Sequence, residues 1–195
     1  GFNIKFNEET LKEAKNIPQS IKENDYKDRY DFYNKFKTFT IDCDNTKDMD
    51  DAVSIMKDKN GNYILAVHIA DVAHYIKRGS ALDKEAYERG LSAYPVNSVI
   101  PMLPKELSNG ICSLNPNEER LTKTYIMEIS KTGELLNYKI VNSIIKSQMK
   151  MSYSNVNKLL DEGIVDEEYL PFAKDLTLMK ELSDILTNKR KNEGM

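Results

Sequence analysis

Two runs of strand-forming residues separated by Asn60-Gly61 constrain this chain more than any other feature in it. Ala52-Val53-Ser54-Ile55-Met56-Lys57 and Tyr63-Ile64-Leu65-Ala66-Val67-His68-Ile69-Ala70 are rich in β-branched and aromatic side chains. Asn-Gly between such runs closes a hairpin, because both residues tolerate positive φ. Thr38-Phe39-Thr40-Ile41-Asp42 reads as a strand ahead of the hairpin, and Thr122–Lys131 and Leu135–Lys146 as two long strands joined at Thr132-Gly133-Glu134. Helical signals flank them. Asn7 can cap a helix over Glu8–Lys15 that stops before Pro18. Further helices are expected over Leu82–Leu91 and Ser154–Leu160, and a long amphipathic one runs from Phe172, with Leu176, Met179, Leu182 and Ile185 at helical spacing. Asn24–Lys37 reads as a wrapped connection. The stretch carrying Pro95, Pro101, Pro104 and Pro116 reads as irregular, except around Lys105–Leu107. Hairpins first and helices later imply an α+β class, a mixed and largely antiparallel sheet with packed helices.

The chain has 195 residues, enough for one domain or a large part of one with a sizeable core. No apolar run approaches the roughly 20 residues of a membrane span, and there is no signal-peptide pattern. A soluble protein away from the membrane is expected. Two cysteines, Cys43 and Cys112, are too few for a disulfide scaffold and lack metal-ligand spacing, which suits free thiols in a reducing cytoplasm. The net charge of −3 argues against a protein that holds nucleic acid mainly by blanket electrostatics. An enzyme that handles RNA stays open, since an acidic metal site adds local negative charge and another domain can supply the basic surface. The chain begins at Gly1 without an initiator Met and stops at Lys189-Arg190-Lys191-Asn192-Glu193-Gly194-Met195, so it is expected to be a piece of a longer chain.

The most informative segment is Ile41-Asp42-Cys43-Asp44-Asn45-Thr46-Lys47-Asp48-Met49-Asp50-Asp51-Ala52. Five carboxylates and one lysine fall between Asp42 and Asp51. Adjacent side chains on a strand point to opposite faces, so Asp50 and Asp51 converge only if the chain curls into a loop. Gathered like charges need a neutralising cation or protonated carboxyls. A hard cation with oxygen ligands meets that need, and magnesium typically takes one or two carboxylates, waters and substrate phosphates. Two such ions about 3.5–4 Å apart suit phosphodiester cleavage. Three plainer readings compete: a solvated acidic turn, local Asp capping, and a structural calcium loop. The EF-hand pattern fails, because positions six and twelve counted from Asp42 are Lys47 and Val53 instead of Gly and Glu.

Thr38-Phe39-Thr40-Ile41-Asp42 with Lys47-Asp48-Met49-Asp50-Asp51-Ala52-Val53-Ser54 closely resembles the signature of the ribonuclease R/ribonuclease II catalytic domain, the RNB domain. The resemblance continues through Ala66–Val72, Pro101–Ser108 and Cys112-Ser113-Leu114-Asn115-Pro116, in family order. It implies a hydrolytic exonuclease that degrades single-stranded RNA from the 3′ end, releases nucleoside 5′-monophosphates and uses Mg2+, with Mn2+ able to substitute. It divides the chain into a lead-in segment, 1–36, and a portion of the catalytic core, 37–195, with flanking OB-type RNA-binding domains elsewhere. By position it makes Asp42, Asp48, Asp50 and Asp51 the catalytic set, with Asp42, Asp48 and Asp51 as metal ligands and Asp50 closest to the chemistry. Tyr94 matches an aromatic that stacks on RNA bases near the 3′ end, and Tyr153 a tyrosine that lines the innermost RNA-binding pocket. Stacking suits a sequence-tolerant nuclease, since every base has a π-face. Either tyrosine can instead be a core residue with a satisfied hydroxyl. Where many relatives have an Asp-Leu-Arg-like string, this chain reads Tyr30-Asp31-Phe32-Tyr33.

His68 lies in an apolar strand and reads as a core or scaffold residue, Asp71 as a turn or cap, and His74 as a side chain without an identified partner. The alternative to the nuclease is a catalytically inert RNA- or metal-binding domain of the same fold. Retention of all four aspartates argues against such decay.

Overall fold

A computed structural model of the chain describes residues 4–33, 35–96, 98–163 and 166–194; the ends of the two expected portions, Gly1 and Met195, fall outside them. Its centre is a seven-stranded sheet in the order β1-β6-β5-β4-β3-β2-β7. The strands are β1 (Tyr30–Asp31), β2 (Phe39–Asp42), β3 (Asp51–Lys57), β4 (Tyr63–Ala70), β5 (Glu119–Ile129), β6 (Leu135–Lys146) and β7 (Met149–Ser152). The four pairings from β2 to β6 are antiparallel, whereas β1 joins β6 and β7 joins β2 in parallel. The sheet is thus mixed and largely antiparallel, as expected for the α+β class. The β3–β4 hairpin is present, with Gly61 at φ 81°. Glycine takes that left-handed conformation without steric cost.

Helices α1 (Glu8–Lys15), α2 (Val72–Tyr75), α3 (Ala81–Arg89), α4 (Tyr153–Asn157) and α5 (Ala173–Asn192) surround the sheet. The amphipathic stripe of α5 packs on it: Leu176 lies with Phe39, Met151 and Phe172, and Leu182 with Ile55 and Tyr63. Asn7 precedes α1 as expected but makes no capping side-chain hydrogen bond. In the proline-punctuated stretch, Glu106–Ile111 forms a wide, π-type helical turn that is broken at Gly110, whose φ of −101° and ψ of −118° are not helical. Its Leu107 and Ile111 bury themselves against Ala14 of α1 and Leu82 of α3. The lead-in segment reaches the core as well, since Phe32 packs with Met49, Ala52, Leu114 and Ile145.

A chain of buried polar side chains crosses the sheet. Thr38 Oγ1 lies 2.8 Å from Ser54 Oγ, which lies 3.0 Å from His68 Nε2; His68 Nδ1 lies 2.7 Å from Thr124 Oγ1, and that oxygen 2.5 Å from Ser143 Oγ. Each member is buried, and His68 is 0% exposed. Neighbours on successive strands satisfy one another, which avoids the roughly 1–3 kcal/mol cost of an unpaired buried group. His68 is therefore scaffold, as its apolar strand suggests.

Candidate active site

Two neighbouring strand ends present the acidic residues. Asp42 is the last residue of β2 and Asp51 the first of β3; Asp48 and Asp50 lie in the loop between them. The loop departs from regular strand so that its carboxylates share one neighbourhood, while Met49 turns inward and is 3% exposed in the core. Asp42 has a carboxyl pKa raised above the ordinary carboxylate range. Desolvation is the main cause, and Asp51 and Asp48 add to it, while Thr40 and Lys150 act against it. Asp50, although exposed as a residue, is raised too, first by desolvation of its carboxyl and then by Asp48, Asp51 and Asp42. The charges of neighbouring aspartates in the loop thus bear on both Asp42 and Asp50.

Lys150, on β7, is the positive counterpart that sequence reasoning missed. Its ammonium donates to the carbonyls of Asp44 (3.0 Å) and Thr46 (2.6 Å), pinning the start of the loop and favouring ionised Asp42. The parallel register that sets Thr40 opposite Lys150 and Asp42 opposite Ser152 brings it there. The signal was weak: β7 is a four-residue strand, Met149-Lys150-Met151-Ser152, without β-branched residues.

Tyr94 reaches the loop directly. It is 62% exposed, and its hydroxyl donates to Asp48 Oδ2 at 2.8 Å. Its phenol pKa is raised, chiefly because that bond favours the protonated form. Tyr153 opens α4 one residue after Ser152, the register partner of Asp42, and is 55% exposed. Among the described residues it makes no hydrogen bond to the acidic loop. Neither ring is a core residue.

Carboxylate oxygens are the donors a hard divalent cation takes, and their mutual repulsion is the strain such a cation relieves. Thr40 Oγ1 adds a buried hydroxyl without a hydrogen-bond partner of good geometry beside Asp42. The donor set therefore fits such an ion in kind and charge. Among the described residues, however, no three His, Cys, Asp or Glu side chains converge closely enough to hold one as they stand. His74 is not free: Asp25 Oδ1 lies 3.2 Å from its Nε2 and Arg29 Nη2 3.4 Å from its Nδ1. Arg29 also pairs with the buried Asp71 at 2.8 Å, so that carboxylate serves an ion pair rather than a helix cap. Cys43 is exposed and Cys112 buried, both unpaired.

The mixed sheet thus ends in a loop of aspartates, with the exposed Tyr94 hydrogen-bonded to it. The model of the RNB domain matches residues 29–195, and the chain belongs to that family. It is 49% identical over 191 residues to ribonuclease R 1 of Lactococcus lactis, a match covering 97% of this chain and 23% of that protein. To ribonuclease R of Thermotoga maritima it is 46% identical, with 97% and 26% covered. The structure of Mycoplasma genitalium RNase R in complex with ribose-methylated single-stranded RNA superposes with a TM-score of 0.88 at 30% identity, covering 98% of this chain and 30% of that one. The chain thus spans about a quarter of the length of the curated relatives it matches. No described helix is long and apolar enough to cross a membrane.

Proposed function

We propose that this chain is part of the catalytic domain of a cytoplasmic, Mg2+-dependent exoribonuclease that hydrolyses single-stranded RNA from the 3′ end and releases nucleoside 5′-monophosphates. The observation that carries the reading is the electrostatic coupling of Asp42, Asp48, Asp50 and Asp51 in one loop, in a chain whose relatives are ribonucleases R. Asp42, Asp48 and Asp51 would hold Mg2+, or Mn2+ in its place. When bound, such an ion supplies Lewis acidity toward the scissile phosphate and acidifies an attacking water.

The chain's own groups contribute positioning and charge. Asp50, whose carboxyl pKa is raised, would stand closest to the chemistry at the terminal nucleotide, as the family resemblance implies. Lys150 holds the loop's entry and favours the ionised form of Asp42. Tyr94 and Tyr153 offer exposed rings on which the terminal bases stack, a contact every base can make. With a net charge of −3, the chain relies on basic RNA-binding domains elsewhere in the longer protein to gather substrate.

The test is incubation of 5′-labelled oligoadenylate with this chain and with its full natural protein, each with and without Mg2+. Shortening from the 3′ end by the full protein, only with metal, is expected; RNA left intact under every metal condition refutes the hydrolase. Asp50→Asn in the full protein should abolish turnover and leave RNA binding largely unchanged. Lost affinity with normal turnover of bound RNA would assign Asp50 to binding.

A further inference from the structure

The acidic loop is held from below by a residue outside it. Ser113 is 0% exposed, at the end of the turn that follows the π-helical segment. Its hydroxyl donates to the carbonyl of Lys47 at 2.9 Å and accepts from the backbone N–H of Met49 at 3.1 Å. Those two groups belong to the peptide bonds on either side of Asp48, so one oxygen clamps the backbone around that carboxylate. The next residue continues the clamp, with Leu114 N–H donating to the Met49 carbonyl at 2.9 Å. From β4, Ala70 N–H reaches the Asp50 carbonyl at 3.3 Å.

Ser113 is itself fixed. Its N–H donates to the Gly110 carbonyl at 3.0 Å, and its carbonyl accepts from Arg120 Nε at 2.8 Å. Arg120 is 3% exposed and makes three further bonds, to the carbonyls of Gly110 and Glu119 and to the Glu118 carboxylate. A buried guanidinium held by four hydrogen bonds is a rigid post. Rigidity therefore passes from Arg120 to Ser113 and from Ser113 to the chain between Lys47 and Met49.

We infer that Ser113 is a positioning residue of the acidic site: its hydroxyl fixes the backbone on both sides of Asp48 and so sets where Asp48 stands relative to Asp50, with Arg120 anchoring it. The inference rests on the hydrolase reading, because only there does the placing of these carboxylates determine a rate. Removing that oxygen frees the backbone on both sides of Asp48, and a displacement of about 1 Å in a catalytic group costs on the order of 100-fold in rate.

The experiment uses the full natural protein, 5′-labelled oligoadenylate and Mg2+, comparing wild type with Ser113→Ala, Ser113→Thr and Arg120→Lys. Circular dichroism gives the folded fraction, and equilibrium RNA binding is measured in EDTA. Ser113→Ala is expected to lower kcat by about 10- to 100-fold per folded molecule while RNA affinity stays within about twofold, since only the chemical step depends on the placement of Asp48. Ser113→Thr, which keeps the hydroxyl, should recover most of that loss, and Arg120→Lys should lower kcat in the same sense and by less. A kcat for Ser113→Ala within about twofold of wild type, or one that falls only with the folded fraction, overturns the inference while wild-type turnover keeps the hydrolase reading intact. Should Ser113→Ala fail to fold, Arg120→Lys decides by the same two criteria. Wild type that leaves RNA intact overturns the hydrolase reading and the inference with it.

Discussion

Lowering the pH should destabilise this fold through His68. The imidazole is completely buried between Ser54 and Thr124, with the edge of the Phe32 ring against it and no charged group in hydrogen-bond contact. Burial alone depresses its pKa from 6.5 to about 3. Because the folded pKa lies below the unfolded one, the stabilisation is fully present above about pH 6.5 and is lost as the pH falls through the window from about 6.5 to about 3. Between about pH 7 and pH 5 the unfolded chain takes up most of a proton that the native chain refuses. At 1.36 kcal/mol per unit, that removes about 2 kcal/mol of stability. Asp42 and Asp50 oppose the trend, since their raised native pKa values make acidification favour the folded state. The measurement is therefore a difference. Urea unfolding of this chain and of His68→Gln, at about pH 7 and pH 5, isolates the imidazole, because glutamine can donate and accept toward the same two hydroxyls without titrating. Wild type should lose about 2 kcal/mol more than the variant. Equal losses, or an NMR titration placing the His68 pKa near that of a free imidazole, would refute a neutral, structural His68.

Arg29→Met leaves the Asp71 carboxylate buried, with only Lys123 at 3.8 Å, and should destabilise the fold by about 3 kcal/mol in urea denaturation. Adding Asp71→Asn should recover part of the loss. Tyr94→Ala should weaken binding of single-stranded RNA by about 1–3 kcal/mol, whereas Tyr94→Phe should keep the affinity and lose only the bond to Asp48, as read by fluorescence anisotropy. Lys150→Met withdraws a charged donor from two loop carbonyls and should cost about 1–3 kcal/mol in thermal unfolding, with Lys150→Arg closer to wild type.

Most of the strands and helices were legible because their residues carry a period. β3, β4, β5, β6, α1 and α5 fall within a few residues of the expected bounds, since alternation and helical spacing report a buried face directly. β1 and β7, with two and four residues, escaped because such runs hold too few side chains to show a period. Their strand character comes from parallel pairing with β6 and β2, which local sequence does not encode. The π-helical turn over Glu106–Ile111 was seen only as a possible break in an irregular stretch, because its apolar residues answer to α1 and α3 rather than to a repeat of their own.

The candidate site divides along the same line. Asp42, Asp48, Asp50 and Asp51 were legible because they sit in one contiguous segment, where an excess of like charge calls for an explanation by itself. The residues that make the segment a defined shape, Lys150, Ser113 and Arg120, come from β7, the turn after Ile111 and β5. A lysine between two methionines or an arginine near the start of a strand marks no role, and Ser113 stood out only as part of a string shared with the family, since each acts through backbone carbonyls and amides that every residue possesses. Ligand chemistry can therefore be read from side-chain identity. The geometry that places those side chains is written in backbone contacts between distant segments, and those become visible only once the chain is folded.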